Sequence, residues 1–121
     1  MGAYRQSLVL DDRDAWSLNN LARLYIGQGQ FAQALGPLAR AIEIDSTVAP
    51  FHNNLGIALE RTGHIVQAAE AYRAAVAIDS THGKAAASLT RLAGLKQDPA
   101  VAPVDLREAA RSFVEQSKTW R

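Results

Sequence analysis

The sequence predicts an all-α fold: a helical-repeat solenoid of antiparallel helix pairs, followed by a C-terminal helix. Three observations carry this. One stretch of the chain repeats without a gap, with residues 15–48 lying over residues 49–82. Apolar residues recur at helical spacing within each copy. Ala and Leu are abundant, and β-branched residues rarely alternate with polar ones.

The repeat is visible residue by residue. Asn19-Asn20-Leu21 falls on Asn53-Asn54-Leu55, Gly29 on Gly63, Gln33-Ala34 on Gln67-Ala68, and Ala41 on Ala75. Both copies close alike, on Ile44-Asp45-Ser46-Thr47 and Ile78-Asp79-Ser80-Thr81. The register extends both ways, since Ala3-Tyr4-Arg5 stands two periods before Ala71-Tyr72-Arg73 and Leu89 one period after Leu55. The expected organisation is a half unit at 1–14, full units at 15–48 and 49–82, and the first helix of a further unit at 83–96. A linker at 99–103 and a terminal helix at 104–121 follow.

The elements follow in order. Residues 3–10 form the second helix of an earlier unit. Residues 15–28 place Leu18, Leu21, Ala22 and Tyr25 on one face, and Gly29 ends the helix in a left-handed turn. Residues 31–44 carry Ala34, Leu35, Leu38, Ala41 and Ile42 inward. Residues 49–62 and 65–78 repeat the pair, with Gly63 between them. Ala22, Gly56, Ala34 and Ala68 are small, which lets helix axes approach to ~8–10 Å. Gly36-Pro37 breaks the local rule, because proline inside a helix removes one hydrogen bond and clashes with the preceding turn. A kink is expected near Gln33 to Pro37. A further helix runs from 83 to 96, where Gln97-Asp98-Pro99 stops the pattern. Pro103 suits the start of a last helix at about 104–119, whose apolar face is Leu106, Ala109, Ala110, Phe113 and Val114.

Composition narrows the function. The formal net charge is +1, too balanced for the basic face of a nucleic-acid binder. There are no cysteines, so disulfides and thiolate metal sites are excluded. No apolar run approaches the ~18 residues of a membrane span. The first residues have neither the signal-peptide layout nor the myristoylation pattern. The default reading is a soluble, cytoplasmic protein.

Catalytic and cofactor signatures are missing. His52, His64 and His82 lie in unlike contexts, without the i, i+4 spacing of a metal pair. Asp11, Asp12 and Asp14 precede a helix, where capping explains them. There is no glycine-rich phosphate loop and no nucleophile elbow. No cofactor is expected, and the chain is not read as an enzyme, although it could serve as the interaction part of a larger one.

The pattern Leu18-x-x-Leu21-Ala22-x-x-Tyr25, repeated as His52-x-x-Leu55-Gly56-x-x-Leu59, resembles the tetratricopeptide repeat family. So do Ala34-x-x-x-Leu38 and Ala68-x-x-x-Tyr72. The resemblance covers residues 3 to about 96. Ser46 and Ser80 stand where the family's closing proline is usual, and Thr90 stands where it wants Gly or Ala. The resemblance implies a scaffold that binds a peptide or partner protein in a concave groove lined by the first helix of each unit. Carried over, the groove includes Trp16, Asn19, Asn20, Arg23, Ile26, Gly27, Asn53, Asn54, Ile57, Glu60, Arg61, Lys84, Ala87, Ser88 and Arg91. The terminal helix is expected to cover the last exposed apolar face of the stack.

Three finer expectations follow. Arg23, Arg61, Lys84 and Arg91 outnumber Glu60, so the groove should prefer acidic peptides, in a salt-sensitive way. Some relatives clamp a C-terminal carboxylate with two Lys, an Arg and two Asn. Only Asn54 and Lys84 match here, while Asn19, Arg23 and Ser88 replace the others, so no true clamp is expected. Asn20 and Asn54, one repeat apart, should form a two-rung ladder that reads a peptide backbone; the competing reading is that such amides stitch neighbouring helices. An alternative role is structural self-assembly. Tyr4, Leu8 and Leu10 belong to a helix without its own first partner, and that face calls for a symmetric dimer or a terminal helix to cover it.

Overall fold

The computed structural model describes residues 14–120. Among them are six α-helices: α1 (Ala15–Gly27), α2 (Phe31–Ile44), α3 (Ala49–Arg61), α4 (Ile65–Ile78), α5 (Gly83–Leu92) and α6 (Leu106–Lys118). The expected helix at 3–10, with the contact proposed for Tyr4 and Leu8, lies outside the described residues.

The repeat is reproduced down to single hydrogen bonds. Gly29 and Gly63 take positive φ, 77° and 89°, which glycine adopts without a Cβ penalty. The turns they permit close alike, with the Gln30 N–H on the Tyr25 carbonyl and the His64 N–H on the Leu59 carbonyl, both at 2.8 Å. Between units, where the family's proline is absent, a carboxylate organises the turn. Asp45 Oδ1 accepts from the Thr47 N–H at 3.0 Å and its hydroxyl at 2.6 Å, and Asp79 does the same for Thr81 at the same distances. Those bonds hold both carboxyls below the usual aspartate range. Hydrogen-bonded Asp is a well-fitted turn residue, which is how these turns manage without proline.

Side-chain capping explains some of the helix starts. Asp14 accepts from the Ser17 N–H and hydroxyl at α1, and His82 Nδ1 accepts from the Ala85 N–H at α5. Pro50 sits in the first turn of α3, where a missing N–H costs nothing. Each of α1–α4 packs on its successor. The small positions are buried as the close approach requires: Ala22, Ala34 and Ala68 are fully covered. Gly56 is stricter, because a Cβ there would lie 2.6 Å from the Tyr72 ring.

The structure corrects the sequence in three places. Helix α5 ends at Leu92 rather than 96, since a turn begins at Ala93-Gly94 and no second helix of that unit supports a longer one. Helix α6 starts at Leu106, because Asp105 accepts from the Glu108 N–H and so fixes the cap two residues past Pro103. Most important, α6 does not cover the end of the stack; it packs on α2.

Residues 93–105 make that reversal. Gln97 Oε1 accepts from the Val66 N–H at 2.9 Å, capping α4 from outside. Gln67 then exchanges two 2.9 Å bonds with the backbone of Val104. The segment so fixed delivers α6 to Gly36, where a Cβ would lie 2.7 Å from Phe113 Cβ and 3.0 Å from the Ala109 carbonyl oxygen. Helix α2 is not interrupted at Gly36-Pro37. Phe113 joins the one buried apolar cluster, and Trp120 meets it edge to face at 5.7 Å. No helix among the described residues is long and apolar enough to cross a membrane.

Candidate peptide groove

The first helices of the pairs, α1, α3 and α5, share one side of the molecule. Their faces bound an open groove of about 810 Å³, within the size range of ligand sites. Of the residues expected to line it, Ile26, Asn53, Ile57, Glu60, Arg61, Lys84, Ala87, Ser88 and Arg91 do so. Phe31 and Tyr72 also line it, and sequence reasoning missed both because they belong to second helices. The signal for Tyr72 was Gly56 one helix away, since a glycine that avoids a ring implies that the ring passes by.

Trp16, Asn19, Asn20, Arg23, Gly27 and Asn54 are not brought to this cavity. Trp16, at the start of α1, is 53% exposed, with its ring edge to face on Phe51 at 4.9 Å. Arg23 is exposed and Asn20 is half-buried. Asn19 is buried. Of the two rungs expected at Asn20 and Asn54, Asn54 is engaged by a neighbouring helix. Asn54 Nδ2 donates to Asn19 Oδ1 at 2.9 Å, so this amide stitches α3 to α1.

One period later the stitch fails. The residue equivalent to Asn54 is Ser88, and the equivalent of Asn19 is Asn53. Serine is shorter and brings no amide. Asn53 Oδ1 is left buried with no hydrogen-bond partner, in a side chain that lines the groove. A buried acceptor without a partner costs about 1–3 kcal/mol, so such groups call for an explanation.

The tie between successive units changes chemistry along the groove. At the first interface Ile26 and Ile57 stand at positions that Glu60 and Arg91 occupy at the second. Arg91 binds Glu60 through both terminal nitrogens, Nη2 at 2.9 Å from Oε1. Tyr72 reaches the same carboxylate past Gly56, its hydroxyl donating to Oε1 at 3.0 Å. The Arg91 guanidinium holds the Glu60 carboxyl below the usual glutamate range, against the opposing effect of burial. Burial, then the bond to Glu60, pushes the Tyr72 phenol up to about 12. Arg91 therefore does not count as a bare cation. Arg61 lies over the Phe31 ring at 5.0 Å, and neither it nor Lys84 forms a salt bridge to a described residue.

The histidines have local partners. His52 Nε2 bonds the Ser46 carbonyl, and His64 Nδ1 bonds the Thr62 hydroxyl, both at 2.9 Å, while His82 caps α5.

Paired helices on a 34-residue register, small residues at the crossings and a groove along the first helices define a helical-repeat interaction module. The tetratricopeptide repeat profile matches residues 3–36 and again residues 49–82, and the chain belongs to the tetratricopeptide repeat family. No curated protein matches it. Repeats of this family generally mediate protein–protein interaction or scaffolding, and typically serve as non-catalytic modules.

Proposed function

We propose that this chain holds an extended peptide, or an extended segment of a partner protein, in the groove between α1, α3 and α5. The observation that carries the reading is the groove itself, about 810 Å³ along the faces of the three first helices. The contacts come from Ile26, Asn53, Ile57, Arg61, Lys84 and Arg91, with Trp16, Asn20 and Arg23 at the margin. Arg61 and Lys84 favour an acidic ligand, in a salt-sensitive way. The ligand is read along its length, not at a C-terminal carboxylate. Of the clamp residues Asn54 and Lys84, Asn54 already serves the stitch to Asn19.

Peptide display against the purified chain tests this. Peptides captured by the wild type should be lost by Ile57→Asp, which puts a carboxylate on the groove floor. They should be kept by Glu70→Ala, an exposed position on α4 away from the groove. Selected peptides that bind Ile57→Asp as well as wild type overturn the proposal.

A further inference from the structure

We infer that the groove reads two side chains at once: an apolar one between Ile26 and Ile57, and a carboxylate at Arg91, about three residues apart in an extended ligand. This rests on the peptide-binding reading above and goes on to name the ligand's chemistry.

Ile26 on α1 and Ile57 on α3 both line the groove, at the positions that Glu60 and Arg91, bonded across α3–α5, occupy one unit later. The same groove therefore offers an apolar floor at one step and a charged one at the next, and Phe31 extends the apolar side. Ile26 and Ile57 are half-buried and open to an apolar side chain.

The charged step looks neutral by count but not by exposure. The Arg91 side chain is 53% exposed, whereas the Glu60 side chain is 15% exposed. Glu60 is covered by the guanidinium and by the Tyr72 hydroxyl. A ligand in the groove therefore meets the guanidinium, which has five N–H donors and only two of its nitrogens on Glu60. Lys84, two turns earlier on the same helix, adds positive potential without an ion pair to a described residue. An acceptor of negative charge, the side chain of Asp or Glu, complements this surface.

The spacing follows from the helices. The two steps are one first-helix separation apart, on the order of 10 Å, the outer end of helix packing, because first helices touch each other less than the helices of a pair do. An extended chain advances about 3.3 Å per residue, so the two side chains stand about three residues apart.

The test uses fluorescein-labelled, acetylated and amidated decapeptides of Ser and Thr carrying one Leu and one Glu at separations of one to six residues. Binding is read by anisotropy at low and moderate salt. Separation three should bind at least tenfold tighter than one or six. Replacing its Glu by Gln should cost about tenfold at low salt and little at high salt. Arg91→Gln should remove the preference for Glu over Gln. Lys84→Gln, an exposed change that breaks no ion pair to a described residue, should reduce it about threefold with the fold intact. Ile57→Ser should remove the preference for Leu over Ser. Equal binding at every separation, or a Glu preference untouched by both Arg91→Gln and Lys84→Gln, overturns the two-point reading and leaves a groove that holds peptides another way. Binding by no peptide of the set overturns this inference and the peptide-groove reading together.

Discussion

Gly36→Ala and Gly27→Ala are the same substitution in two helices, and the structure predicts opposite signs. In an open helical position, alanine gains roughly 0.5–1 kcal/mol over glycine, chiefly through backbone entropy. Gly27, the last residue of α1, has nothing within 4 Å of a built Cβ, so Gly27→Ala should stabilise by up to that amount. At Gly36 the new methyl would stand 2.7 Å from Phe113 Cβ and 3.0 Å from the Ala109 carbonyl oxygen. Both atoms are fixed to the α6 backbone, so neither can swing aside. Relief requires α6 to withdraw by several tenths of an ångström or more. A gap of ~0.5–1 Å forfeits a quarter to a half of the local dispersion energy, and overpacking a core costs typically about 1–3 kcal/mol. The steric loss exceeds the entropic gain, giving a net destabilisation of about 1–2 kcal/mol. Urea titration followed by circular dichroism gives the two stabilities. Tryptophan emission adds a local probe, since Trp120 sits on Phe113. If Gly36→Ala proves as stabilising as Gly27→Ala, α6 does not dock on α2 as described.

Three further outcomes are expected. Ser88→Asn should supply Asn53 Oδ1 with the amide that Asn54 supplies to Asn19, stabilising the chain by about 1 kcal/mol; denaturant midpoints measured with and without Asn53→Ala check it, because the gain should vanish in that background. The Glu60 carboxyl is depressed by Arg91 in the folded chain, so its contribution is fully present above the unfolded glutamate value of about 4.3 and is lost as pH falls from there through the lower folded value. Urea midpoints between pH 6 and pH 3 should show less acid sensitivity in Glu60→Gln than in wild type, and equal slopes would contradict the tie. Gln67→Ala should release the Val104 backbone and raise amide exchange in residues 99–106, as hydrogen–deuterium exchange would show.

The helices α1 to α4 were legible because two copies of one pattern state the same answer twice, and the glycines at 29 and 63 punctuate both. The end of α5 was not, because its length depends on a partner helix that the chain does not place beside it. The seat of α6 was hidden for a different reason. Gly36-Pro37 was visible and was read for its backbone alone, but the missing Cβ of Gly36 matters only once another helix arrives. In the groove, residues such as Ile57, Arg61 and Lys84 could be placed from helix faces alone. The roles of the asparagines could not, since whether Asn54 faces a ligand or Asn19 depends on the offset between neighbouring units. For the same reason Arg91 was counted as a bare cation before its pairing with Glu60 was known.

The central claim is that ligand lies along α1, α3 and α5. Hydrogen–deuterium exchange with side-chain methyl NMR on the chain saturated with its tightest displayed peptide tests this most directly. The account predicts shifts confined to the methyls of Ile26 and Ile57 and protection in α3 and α5, with α6 and the outer face of α4 unchanged. Shifts centred on Val66 and Leu95, or on α6, with Ile26 and Ile57 silent, would contradict it.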